Sequence, residues 1–345
     1  MFDVTLNDIN AILRDYCFRS PATSFSELQR YHYEKKDPDS KEVRLIIKVE
    51  LCADKPVVIR FKNESDVTLE LMEEQSKFAA ILRQNGIEVP KQYKTEDGYA
   101  RWYSIDTYEV IVTVEQFVEG ELHCVDVETA LETGRLLAKM HNIAERLDVH
   151  IENDVLFNPF SENDLFAFSA FRDNSHVLSD VDAPLYADIV KTYEEYMKRL
   201  LPLNKEPKYA VQGDISDCNL YRTCQGGIGV FDFNRAGDNN LYCDAVMQAV
   251  FEARLMDYPD SCAGRSEELI LPAFLKGYHM ERPFTEIQKE SYPYLYAIIH
   301  AFWSQDIKWN DNSLLHAIEK GQVEDVRRWL KEIHRRIHHI QPIAL

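Results

Sequence analysis

No glycine precedes Gly86. A loop that wraps phosphate groups needs glycines for close backbone approach and for positive φ. The first quarter of the chain therefore carries no phosphate loop of the Rossmann, Walker or protein-kinase type. Basic residues are also scarce: 39 Lys and Arg face 58 Asp and Glu, a formal charge of −19. That deficit argues against a general nucleic-acid binder, which needs cations to neutralise phosphates, and is compatible with a cationic small-molecule substrate. The seven cysteines are odd in number, scattered and without a Cys-x-x-Cys pair. They argue against a disulfide framework or a cysteine zinc site and read as reduced thiols of a cytoplasmic protein. No stretch approaches the ~18 uninterrupted apolar residues of a membrane span. Met1 to Asn10 holds two aspartates and no apolar run, so no signal peptide is expected.

What is present is ordinary globular composition, 45% hydrophobic and 28% charged over 345 residues. The length allows two domains or one domain in two lobes. Residues 28–34, 43–52 and 57–62 are rich in β-formers and separated by polar turns, which predicts an antiparallel meander. A helix is expected from Val67 to Asn85, with Leu71, Phe78, Ile81 and Leu82 at helical spacing. Gly86 stands where a C-terminal cap belongs, and Pro90 stops continuation. Strands follow near 99–104 and 109–118.

Beyond Glu119-Gly120 the pattern turns helical. Residues 126–144 form an amphipathic helix with Asp126 as its cap. Helices are expected at 184–201, 241–257, 266–279, 286–305 and 313–340, with a β segment at 209–233. The expected division is an α+β lobe over residues 1–118, a hinge at 119–121 and a mainly helical lobe over 122–345. Roughly two-thirds of the net negative charge falls in the last of these.

The stretch 209–238 carries the chemistry. Asp214 opens a polar loop and Asn219 lies five residues on. Leu220 to Thr223 is a strand, Gln225-Gly226-Gly227 a turn and Ile228 to Phe233 the return strand. The hairpin brings Asp232 beside Asn219, and a carboxylate with an amide oxygen suits Mg²⁺. Asp214 is left to meet a substrate hydroxyl. That is the division of labour in phosphoryl transfer.

Here the chain resembles the aminoglycoside phosphotransferase family, which includes choline and homoserine kinases and is related in fold to protein kinases. The family shows His-Gly-Asp-x-x-x-x-Asn, then a hairpin, then Asp-x-Asp/Glu/Asn. This chain has Gln212-Gly213-Asp214-x-x-x-x-Asn219, then Asp232-Phe233-Asn234, so Gln212 departs from the usual His. Leu136 to His141 resembles the family's Leu-Ala-x-Leu-His helix, Leu82 to Pro90 its helix exit, and Asp244 the Asp after its metal-binding strand.

The resemblance spans residues 43 to about 250. It implies a bilobal kinase-like fold, ATP and Mg²⁺ as cofactors, and a small-molecule hydroxyl acceptor, with no nucleic-acid or membrane partner. It implies Asp214 as the catalytic residue and Asn219 and Asp232 as metal ligands, with Asn234 assisting. The family's strand Lys and helix Glu have looser counterparts. Arg60 stands at the aligned strand position, Lys62 points to the same face, and Glu74 is expected inward on the Leu71-Glu74-Phe78-Ile81 stripe. Glu115 to Val118, with Glu115 and Phe117 as its marked residues, would present backbone groups to adenine.

The opposing reading is a nucleotide-binding pseudokinase without turnover, motivated by Gln212, Arg60 and the missing early glycines. Trp303, Asp306 and Trp309 could share a helix face suited to an amine, though terminal-helix packing explains them as well. His334, His338 and His339 read as a polar helix end, since no ligand partner accompanies them in sequence.

Overall fold

A computed structural model describes residues 1–161, 167–215 and 219–344. Ser216, Asp217 and Cys218, which belong to the expected loop after Asp214, lie outside the described residues. The chain divides into two compact units. One comprises residues 1–122, 151–153 and 218–236, the other residues 123–150, 154–217 and 237–345.

The first unit opens with a helix the sequence reading did not anticipate, α1 (Leu6–Asp15). A reciprocal capping box between Thr5 and Asp8 fixes its start. The sheet strands β1 (Ala22–Tyr31), β2 (Val43–Leu51) and β3 (Val57–Asn63) form the expected meander. β1 starts earlier than residue 28 because it is a largely exposed edge strand, with little apolar alternation to mark it. The helix α2 (Leu69–Gln84) is capped by Thr68 and followed by Gly86 at φ +87°, as the capping pattern predicts. β4 (Gln92–Tyr93), β5 (Ala100–Ile105) and β6 (Tyr108–Gln116) complete the sheet, in the order β1-β2-β3-β6-β4 with β5 also on β6.

Alternation along β3 and β6 divides their side chains between two faces. Ile59, Phe61, Val112 and Val114 join Ile9, Ile12 and Leu13 of α1 in one core cluster. Ile111 joins Met72 of α2 in another. Arg60 and Thr113, and Val58 and Glu115, are cross-strand partners, which sets Glu115 diagonal to Arg60 on one face.

In the second unit, α3 (Val127–Arg146) starts at Asp126, whose carboxylate accepts the Thr129 N–H at 2.8 Å, as expected. α4 (Phe168–Asp173) and α5 (Ser175–Leu200) follow. α5 is broken at Asp182 by non-helical backbone ahead of Pro184, and the Asp182 side chain recaps the chain at the Leu185 N–H. After β7 (Lys208–Val211), the hairpin β8 (Leu220–Arg222) and β9 (Ile228–Val230) falls in the first unit. It is tied there by Val230 N–H to Glu88 O at 2.9 Å and Leu122 N–H to Leu220 O at 2.8 Å.

β10 (Gly237–Asn240) then pairs with β7. α6 (Leu241–Leu255) is buried on nearly every side, the mark of a central helix. α7 (Ser266–Glu281), α8 (Glu286–Ala301), α9 (Leu314–Glu319) and α10 (Val323–Ile337) complete the unit. The single helix expected over 313–340 is therefore two, divided at Gly321 with φ +64°.

α3 and α7 cross with their backbones in contact. A Cβ added at Gly134 would lie 2.0 Å from Phe274 O, and one at Gly277 would lie 2.0 Å from Leu131 O. Backbone cannot step aside as a side chain can, so Gly134→Ala is expected to lower stability by at least about 1–3 kcal/mol. A denaturant melt of the variant superimposing on the parent would show that the helices can separate at no cost.

Candidate active site

The first unit gathers Arg60, Lys62, Glu115, Asp232 and Asn234. Arg60 donates to Glu115 Oε1 at 2.8 and 3.1 Å and to Asp232 Oδ2 at 3.3 Å. Lys62, 3% exposed, donates to Asn234 Oδ1 at 2.5 Å. Glu115 also accepts from Gln92 Nε2 at 2.8 Å. Burial opposes the Arg60 charge, yet Asp232 and Glu115 outweigh it and raise its pKa. Burial pushes the Lys62 ammonium down to about 8, against the pull of Asp232. Burial would raise the Asp232 carboxyl, but Arg60 and Lys62 together hold it below the ordinary range.

Hairpin register places the two oxygen donors. Phe231 N–H donates to Asn219 O at 2.9 Å, so Asn219 sits opposite the residue before Asp232. The return strand ends at Val230, short of Phe233, because the chain turns at Asp232 with φ +55°. Asp tolerates the left-handed region better than most residues, but at a cost. The turn is locked by Asn234 N–H donating to Asp232 Oδ1 at 3.2 Å. A carboxylate and an amide, both hard oxygen donors, fit Mg²⁺.

One expectation changes here. Glu74 is exposed, not inward. The buried residues of α2 are Met72, Gln75, Ser76, Phe78, Ala79, Ala80 and Leu82, so Phe78 and Leu82 face inward as expected while Gln75 occupies the place expected of Glu74. Its Nε2 donates to Asn234 O at 3.0 Å and Ala236 O at 3.3 Å. Glu73 accepts the Tyr99 and Ala100 N–H groups instead of facing a cation. In the stretch expected to face adenine, the Phe117 N–H donates to Pro56 O at 3.0 Å, and the Phe117 ring carries Lys48 Nζ at 4.3 Å from the centroid. The Gln116 N–H is likewise committed, to Lys91 O at 2.8 Å.

Gln75→Ala should therefore lower stability by about 1–3 kcal/mol, by leaving buried carbonyls without their donor. Glu74→Ala should stay within about 0.5 kcal/mol of the parent. The reverse order in urea melts would return the inward role to Glu74.

Asp214 lies in the second unit, on a loop held from beneath. Its N–H donates to the fully buried Gln212 Oε1 at 2.8 Å, and the next N–H, of Ile215, donates to Gln248 Oε1 at 2.9 Å. Gln248 and Asp244 stand one turn apart on α6, with Gln248 Nε2 3.3 Å from Asp244 Oδ1. Asp244 Oδ2 lies 3.1 Å from His141 Nε2, and His141 Nδ1 lies 2.9 Å from the Tyr278 hydroxyl. A buried chain of polar groups thus runs from α7 through α3 and α6 to the loop. The sequence reading named His141 and Asp244 but missed Gln248, Tyr278 and Gln75. An apolar neighbourhood around a lone amide was the only available signal.

Of the Trp303, Asp306 and Trp309 set, the first two are taken up by packing, and Trp309 is half exposed. Trp303 packs edge-on against Phe251 and under Arg254, and Asp306 pairs with Arg336 at 2.6 Å. Among the described residues no helix is long and apolar enough to cross a membrane.

The model of the phosphotransferase enzyme family matches residues 46–279. Among solved structures, a microcompartment-associated aminopropanol kinase is similar over 96% of this chain and 100% of its own, at 17% identity and a TM-score of 0.55. Amicoumacin kinase in complex with AMP-PNP and Ca²⁺ is similar over 87% of each chain, at 16% identity and a TM-score of 0.58. An aminoglycoside phosphotransferase from Alicyclobacillus acidocaldarius covers 99% of this chain and 98% of its own, at 13% identity and a TM-score of 0.52. At these identities the likeness is one of fold, the kinase-like arrangement of an antiparallel sheet followed by a mainly helical part. No curated protein matches the sequence.

Proposed function

We propose that this chain, which belongs to the phosphotransferase enzyme family, is a small-molecule kinase that transfers the terminal phosphoryl group of ATP to a hydroxyl of an amine-bearing acceptor. The observation that carries the residue roles is the order Asp214, Asn219, Asp232 together with the Arg60–Asp232 pairing. Asp214 orients the hydroxyl and accepts its proton. Arg60 and Lys62 meet the phosphates, and Glu115 holds the Arg60 guanidinium in place. Asn219 and Asp232 are the residues that would hold Mg²⁺, with Asn234 assisting. Bound there, the ion would supply positive charge to the phosphate oxygens.

Gln212 bears on the pseudokinase reading. Its side-chain oxygen takes the Asp214 N–H, so an amide performs the loop support expected of the family's His. The acceptor class rests on charge. The helical portion holds most of the acidity, and an acidic wall concentrates cations and repels anions. The name of the aminopropanol kinase points the same way, to an amino alcohol.

The test is a thermal shift with Mg-ATP, followed by ATP turnover over amino alcohols, aminoglycosides, sugars and carboxylated alcohols. Turnover is expected with an amine-bearing acceptor, with kcat/KM falling as salt rises. Nucleotide binding without turnover across the panel would favour the pseudokinase. An anionic best substrate would overturn the charge argument alone.

A further inference from the structure

The histidines near the end of α10 have a partner that the sequence conceals. His334 and His338 are four residues apart, so their rings share one helix face, with centroids 4.4 Å apart. From α5, Asp188 reaches the same point: its Oδ2 lies 3.0 Å from His334 Nε2 and 3.1 Å from His338 Nε2. One ligand atom from each residue falls within 4.8 Å of the other two. Each side chain is about one-third to one-half exposed, so an ion can enter from solvent.

We propose that Asp188, His334 and His338 form a site for a divalent transition-metal ion of the zinc type, separate from the phosphotransfer residues and independent of that assignment. The chemistry selects the ion. Two imidazoles exclude Mg²⁺ and Ca²⁺, which take oxygen ligands, whereas two imidazoles and one carboxylate suit Zn²⁺, with water completing four-coordination. In a tetrahedral shell with bonds of about 2.0–2.2 Å, neighbouring ligand atoms stand roughly 3.3–3.5 Å apart. The two observed Asp–His separations need widen by only a few tenths of an ångström. His339 is not part of the set, since its Nε2 pairs with Gln341.

The position gives the site a structural consequence. Asp188 and His334 are 146 residues apart in sequence, and the ion clips the last long helix onto α5. Cross-links that close long loops have the most chain entropy to remove from the unfolded state.

The experiment uses the full chain stripped with chelator, with Zn²⁺ alone and Co²⁺ alone as probes in the presence of excess Mg²⁺. Titration calorimetry should show a Zn²⁺ site of micromolar affinity or tighter. The thermal midpoint should rise with Zn²⁺, and Co²⁺ should give a visible ligand-field spectrum. His338→Ala and Asp188→Asn should each weaken Zn²⁺ at least tenfold and abolish the thermal shift, with the Mg-ATP kinase reaction unchanged. His338 is the exposed cap residue of its helix, and Asp188→Asn preserves size, so each variant checks the fold of the other. Absence of micromolar binding in the parent overturns the site. So does Zn²⁺ affinity that survives both substitutions, which would place the ion on other groups such as the exposed thiols of Cys17, Cys52, Cys124 and Cys224.

Discussion

Asp214→Asn is expected to lower kcat by about 10²–10⁴-fold while nucleotide affinity stays within a few-fold of the parent. The substitution is nearly isosteric and leaves two backbone hydrogen bonds of this part of the chain in place. The Asp214 N–H stays on Gln212 and the Ile215 N–H stays on Gln248. What is removed is the capacity to take a proton from the attacking hydroxyl and the charge that orients it. The measurement pairs single-turnover phosphoryl transfer with calorimetric nucleotide binding. Unchanged turnover would remove Asp214 from the chemistry. A parallel loss of nucleotide affinity would mean that the substitution had disturbed the loop.

Arg60→Met is expected to destabilise the first unit strongly. The guanidinium, 11% exposed, lies between the Glu115 and Asp232 carboxylates, themselves 12% and 27% exposed. Removing one partner of a buried ionic group leaves the remaining charges without compensation, a loss of about 3–5 kcal/mol. The Asp232 carboxyl also loses the main influence that keeps its pKa low. Urea unfolding of the variant, read by a probe in the first unit, checks the size. A double variant adding Glu115→Gln should recover part of the loss, because one of the stranded charges is gone. Equal melts for parent and Arg60→Met would mean that water screens the cluster as it screens surface pairs.

Features that depend on neighbours in sequence were legible. The Asp126 cap, the end of α2 at Gly86 and the hairpin between Asn219 and Asp232 all stand where local pattern put them. The inward face of α2 keeps Phe78 and Leu82 as expected but takes Gln75 in place of Glu74, for an identifiable reason. Leu71 and Ile81 looked like the core stripe, while Ala79 and Ala80 carry too little apolar surface to compete and Gln75 looks polar. The carbonyls that draw Gln75 inward belong to Asn234 and Ala236, some 160 residues away. Glu115 was read for its backbone, and only the strand register reveals its side chain diagonal to Arg60. β10 reads Gly-Asp-Asn-Asn, a sequence of weak strand preference, and exists because β7 supplies its partner. Asp188 and the α10 histidines share no pattern at all until the helices are packed.

The glycine crossing of α3 and α7 bears on motion. Helices that meet backbone to backbone cannot slide or roll past one another without driving a carbonyl oxygen into a main-chain carbon. They behave as a single strut, and His141 on one and Tyr278 on the other keep their registration through any fluctuation of the unit. Amide hydrogen exchange should accordingly be slowest along these two helices and α6. The Asp214 N–H is held by Gln212 of its own loop and the Ile215 N–H by Gln248 of α6, which reaches the strut through Asp244 and His141, so the backbone at Ile215 is tied to helices that do not slide.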